Sequence, residues 1–198
     1  MRHEPVANPE ANARLTAAVG ALLLALLAAE GVTVLQVRRL LVLHVFLGLV
    51  LVPSVILKIA SATWRAVQYY LGSPQYRRKG PPPMVLRLLG PFVVVVTLTV
   101  LASGVALLFV SQSARDLVLT VHKASFVLWF GAMALHVLGH VADTASIVPR
   151  DFLRRTRRHV RGAPSRQWAL VGAVAAGLVL GAVLTPYTGS WLHASLSR

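Results

Sequence analysis

Five apolar runs, at residues 13–35, 40–60, 88–110, 117–142 and 168–187, constrain this chain more than any other feature. A hydrocarbon layer of about 30 Å is crossed by roughly 20 helical residues. Inside that layer every backbone N–H and C=O must be bonded within the chain, and a run of this length achieves it as a helix. The expected fold is therefore all-α: a polytopic membrane bundle of about five transmembrane helices, forming a single integral membrane domain over residues 1–198. Before the apolar stretch Leu15–Ala29 only Arg2 and Arg14 are cationic, and no small-x-small cleavage site precedes Glu30. That run reads as an uncleaved span rather than a secretory leader.

The net charge of +14 could point to nucleic acid, but its distribution argues against that. Arg65, Arg77, Arg78, Lys79 and Arg87 lie between the second and third runs. Arg150, Arg154, Arg155, Arg157, Arg158, Arg161 and Arg166 lie between the fourth and fifth. With five spans, both basic loops fall on one side, and the excess of Lys and Arg assigns that side to the cytoplasm. The expected arrangement is a bacterial-type inner membrane, N-terminus cytoplasmic and C-terminus outside. Contact with anionic lipid explains such loops best, with docking of an acidic partner next. No nucleic-acid partner is expected.

Within the runs, Pro91 suits a helix start and Pro53 should kink the second span. Gly48, Gly104, Gly131 and Gly139 allow close approach of another helix or of a flat group. Trp64, Tyr69, Tyr70, Trp168 and Trp191 have the placement of interfacial belts. Gly80-Pro81-Pro82-Pro83 should be extended.

The candidate site comes from ionisable residues inside the spans, which are costly there and mark function by default. His122 and His136 are fourteen residues apart in the fourth run. At about 100° and 1.5 Å per residue they return to within about 40° of one face and stand about 21 Å apart along the axis. His44 and Lys58 repeat the interval in the second run. The second and fourth spans run in the same direction, which matches His44 with His122 in depth near the outer face, and Lys58 with His136 near the inner face. Paired ligands at two levels could sandwich a planar metal group at each.

Two axial imidazoles would leave iron no open position, which suits electron transfer. Lys58 could instead snorkel to the headgroups, pair with a carboxylate or coordinate as a neutral amine. His140, one turn beyond His136, is an alternative inner ligand or a polar contact. His136 and His140 could also chelate zinc, but no HExxH pattern accompanies them, and Asp143 is the nearest carboxylate. The chain has no cysteine, so thiolate ligands, iron–sulfur clusters and covalent c-type haem are excluded.

The segments LLVLHVFLGLVLVPSVILK and VHKASFVLWFGAMALHVLGH resemble the membrane b-type cytochromes related to cytochrome b561, ferric reductase transmembrane domains and formate dehydrogenase gamma subunits. The resemblance covers roughly residues 40–142 and rests on His-x13-His spacing and topology. It implies haem b between neighbouring helices, with His44 and His122 at an outer haem and His136 at an inner one. Lys58 stands where the family pattern has histidine, so one or two haems are expected.

The implied function is electron transfer, between quinone and a redox partner protein, as a subunit or a quinone-linked oxidoreductase. A quinone pocket near Trp64 and Tyr69, or at the outer mouth, fits that reading. The chain carries no glycine fingerprint for a nicotinamide or flavin. The alternatives are a haem-free metal or proton transporter and a membrane anchor subunit.

Overall fold

The computed structural model describes residues 9–78, 84–148 and 162–189. Among these the chain is all-helical, and five helices are long and apolar enough to cross a membrane. They are α1 (Pro9–Leu35), α2 (Val37–Tyr70), α4 (Met84–Ala106), α5 (Gln112–Ile147) and α6 (Ala163–Leu184). A single turn, α3 (Pro74–Arg77), follows α2, and a 3-10 turn (Thr185–Thr188) closes α6. Large apolar side chains such as Ile56, Val95, Phe130, Leu138 and Val179 point outward. In water such a surface would drive association; in a bilayer it is simply solvated. The architecture fits a multi-pass membrane protein.

Two antiparallel hairpins make the core of the bundle. Gln36 alone separates α1 from α2, with Gln36 N–H bonding Thr33 O and the N–H groups of Arg39 and Leu40 bonding Gln36 O. The register then runs from Glu30 beside His44, near the turn, to Thr16 beside Lys58 and Asn12 beside Ser61 at the far end. Val19, Leu23, Leu51 and Val55 fill the seam between these helices. In the second hairpin, residues 107–111 turn α4 into α5, and the Trp129 indole N–H donates to Thr97 Oγ1 at 3.0 Å. Contacts between α1 and α5 join the hairpins, and α2 also touches α4.

α6 lies against the outside of α2. A Cβ on Gly177 would stand 2.5 Å from the Val50 carbonyl oxygen, and one on Gly181 would stand 2.7 Å from the Phe46 ring. Ala173, Gly177 and Gly181 therefore form a small-residue stripe that lets two backbones meet, the usual means of packing helices without a hydrophobic driving force. This close approach occurs at Gly177 and Gly181, and Gly131 faces open space instead.

Both prolines behave differently from the expectation. Pro91 sits well inside α4, which begins at Met84, so α4 tolerates a missing N–H at its eighth residue. Pro53 lies within α2, yet the non-helical angles in α2 are at Leu40 (φ −111°, ψ 24°), just after the turn. The bend belongs to the hairpin entry rather than to the proline. Gly80-Pro81-Pro82-Pro83, Lys79, Trp191 and the basic residues from Arg150 to Arg161 lie outside the described residues. Arg166 is buried at the start of α6.

Candidate functional site

Between the two hairpins is a cavity of about 1130 Å³, lined by α1, α2, α4 and α5. His44, Lys58, His122, His136 and His140 all reach it. Pockets for one drug-sized ligand are usually about 300–1,000 Å³, so this one has room for a large group or more than one. Its wall is mostly aliphatic, as expected where helices from two hairpins diverge around an interior.

At the end marked by the Gln36 turn and residues 107–111, His44 and His122 face each other. Their ring centres are 6.4 Å apart and the ring planes are inclined at 75°. Each imidazole is held by one nitrogen. His44 Nδ1 lies 2.8 Å from Glu30 Oε1, and a carboxylate can only accept, so the hydrogen is on Nδ1. The Thr33 hydroxyl shares its hydrogen between the Glu30 backbone carbonyl at 2.7 Å and Glu30 Oε2 at 3.0 Å, and the same oxygen stands 3.2 Å from His44 Nδ1. Thr33 is fully buried, and the Glu30 side chain is only 13% exposed. On the other side, His122 Nδ1 donates to the Val100 carbonyl at 3.0 Å, with Ser103 Oγ at 3.1 Å.

The His122 contact depends on Gly104. The Val100 carbonyl is on α4, and the imidazole edge bearing Nδ1 and Cε1 reaches it across the space where a side chain at residue 104 would project. A Cβ on Gly104 would come within 3.1 Å of His122 Cε1. Gly48 plays a milder part, since a Cβ there would meet Glu30 Oε1 at 3.5 Å.

With the Nδ1 hydrogens engaged, both Nε2 atoms remain as lone-pair donors, the arrangement that metal-binding histidines use. The spacing fits one metal between them. With about 2 Å per metal–nitrogen bond and roughly 1.2 Å from nitrogen to ring centre, two opposed imidazoles have centres about 6.4 Å apart. If a planar metal group were bound here, His44 and His122 would be the side chains to hold it.

The other end of the cavity is built differently. The rings of His136 and His140 are 4.8 Å apart on α5, and His136 Nδ1 is buried without a hydrogen-bond partner among the described residues. The Lys58 amine donates to the Thr16 carbonyl at 2.7 Å and fills the space over Gly20, whose Cβ would fall 2.9 Å from Nζ. The side chain of Asp143 is outside the described residues. Arg65, Tyr69, Tyr70 and Arg87 line the cavity at this end, and Arg87 Nε donates to the Tyr70 hydroxyl at 2.9 Å. Trp64 is exposed beside them on α2.

Sequence reasoning brought His44 and His122 together but missed their supports. Glu30, Thr33, Val100 and Ser103 carry no candidate role in the sequence pattern. The signal for Glu30 was available: it lies six residues before Gln36, and His44 lies eight after it, so a tight hairpin sets them at nearly one depth. No protein-family model matches the chain, and no similar curated protein or solved structure is found.

Proposed function

We propose that the chain is a membrane b-type cytochrome, carrying electrons through haem b held by His44 on α2 and His122 on α5. The single observation that carries this reading is the facing imidazole pair, 6.4 Å between ring centres, with each Nδ1 engaged by an acceptor. Haem, when bound, supplies a one-electron iron couple. The chain's own residues do the rest. Glu30 and Val100 hold the two rings in a single tautomer, Gly104 admits one of them against α4, and the aliphatic wall excludes water.

At the other end, His136 offers a one-sided position. A second haem there would be held by His136, since the Lys58 amine is bonded to Thr16. In this reading the redox partners are quinone in the bilayer and a protein at one face. The proposed orientation puts the basic loops and N-terminus in the cytoplasm of a bacterial-type cell and the C-terminus outside.

The test is a reduced-minus-oxidised spectrum of the purified protein, with His122→Ala beside it. The wild type should give a low-spin haem α-band, and the variant should lose that haem. A wild type without the band, or a His122→Ala protein with full haem and an unchanged spectrum, would refute the assignment.

A further inference from the structure

The two imidazoles have unlike partners. His122 gives its Nδ1 hydrogen to a neutral backbone carbonyl, whereas His44 gives its own to a carboxylate at 2.8 Å. Glu30 is also the one carboxylate among the described residues that lines the cavity. It is screened from solvent, accepts from His44 and from the Thr33 hydroxyl, and no Lys or Arg bonds to it among the described residues.

We propose that Glu30 is a positioning residue that sets the reduction potential of the group held between His44 and His122. This rests on the cytochrome reading. A carboxylate that accepts the outer hydrogen of a metal-bound imidazole makes the ring a stronger electron donor. The oxidised metal carries one more positive charge than the reduced metal and gains more from that donation. The carboxylate's own negative charge acts in the same sense, and a site of low dielectric strengthens it. Glu30 therefore favours the oxidised form and lowers the potential. The couple is one electron, Fe(III) to Fe(II); no bond forms or breaks, and the hydrogen stays between His44 and Glu30.

The competing account is that Glu30 only pins α1 to α2. The two differ in what Glu30→Gln does, because the amide keeps the size and an accepting oxygen but removes the charge. The experiment is a spectroelectrochemical titration of the purified haem protein: wild type, Glu30→Gln and Glu30→Asp, with haem content measured in each. The expected result is full haem in Glu30→Gln with the midpoint shifted upward, and a midpoint in Glu30→Asp that returns toward the wild type.

An unchanged midpoint in haem-replete Glu30→Gln overturns the proposal and leaves the cytochrome reading standing. Equal shifts in both variants would mean that geometry rather than charge acts, and overturn it too. Loss of haem from Glu30→Gln with retention in Glu30→Asp would place the charge in holding the ligand rather than tuning it. Loss from both variants would make the role purely structural. Either loss counts against the proposal. Absence of a haem band in the wild type is separate, since it removes the cytochrome reading itself.

Discussion

Replacing Gly104 with alanine should weaken haem binding while leaving the fold about as stable as before. The added Cβ would lie 3.1 Å from His122 Cε1 and 3.5 Å from Nδ1. Carbon atoms pack best at about 3.5–4.0 Å, so the ring must withdraw by about 0.5 Å. Because the Val100 carbonyl is on the same helix as Gly104, withdrawal stretches the 3.0 Å bond from Nδ1 by up to about 0.5 Å, past the usual range of such bonds. The lost bond costs about 1 kcal/mol. Alanine in a helix interior returns about 1 kcal/mol relative to glycine, so the two terms nearly cancel in the empty protein.

They do not cancel at the site. Ligand placement tolerates about 0.5 Å, and loss of an outer-shell partner typically costs about 10–100-fold in metal affinity. The assay is paired: haem titration of the apo-protein followed by absorbance, and thermal unfolding of the same apo-protein in detergent. Gly131→Ala is the control, because Gly131 lies on α5 with open space where its Cβ would be. Gly104→Ala should lose about 10–100-fold in haem affinity with little change in unfolding, and Gly131→Ala should lose neither. Wild-type affinity and an unchanged low-spin spectrum in Gly104→Ala would show that the ring is not held where the geometry puts it.

Further outcomes are expected elsewhere in the bundle. Lys58→Met should leave the haem-to-protein ratio at the wild-type value and lower stability by about 1 kcal/mol, the worth of one interhelical hydrogen bond; a fall of one haem per protein would instead make Lys58 a ligand. Gly177→Ala should lower the unfolding temperature, because its Cβ would meet the Val50 backbone at 2.5 Å and overpacking of this kind costs about 1–3 kcal/mol. Thermal unfolding as stable as the wild type would mean that α6 can shift along α2 without loss.

The number of spans was legible because hydrocarbon leaves so few solutions: an apolar run of sufficient length is a helix, and its place in the order fixes its direction. Their ends were less legible. The second run was expected to stop near residue 60, yet α2 continues to Tyr70. Bilayer thickness limits where apolar residues are needed, not where the backbone ladder ends. Residues 61–70 keep their helical bonds although Trp64, Arg65 and Tyr70 are exposed. The α2–α6 seam was legible in principle, since Ala173, Gly177 and Gly181 stand four apart. Spacing alone does not select it, because four glycines nearer the histidines also permit close approach. Of those, Gly104 and Gly48 do lie at the site, against His122 and Glu30.

The fourteen-residue intervals were read as one device used twice, and the structure separates the two ends. Spacing along a helix fixes depth and face, but not what a side chain finds there. At the turn end, a hairpin joined by one residue brings Glu30 and Thr33 to His44, and the short connection before α5 brings Val100 and Ser103 to His122. Both rings thus enter the cavity with their inner nitrogens engaged. At the far end the same α1–α2 register brings the Thr16 carbonyl to Lys58, and the amine bonds backbone over Gly20. An ammonium donates and cannot accept, so it takes the nearest carbonyl; an imidazole can spend one nitrogen on the helix and keep the other. The two ends of the α1–α2 seam differ because that difference in donor chemistry meets one hairpin register.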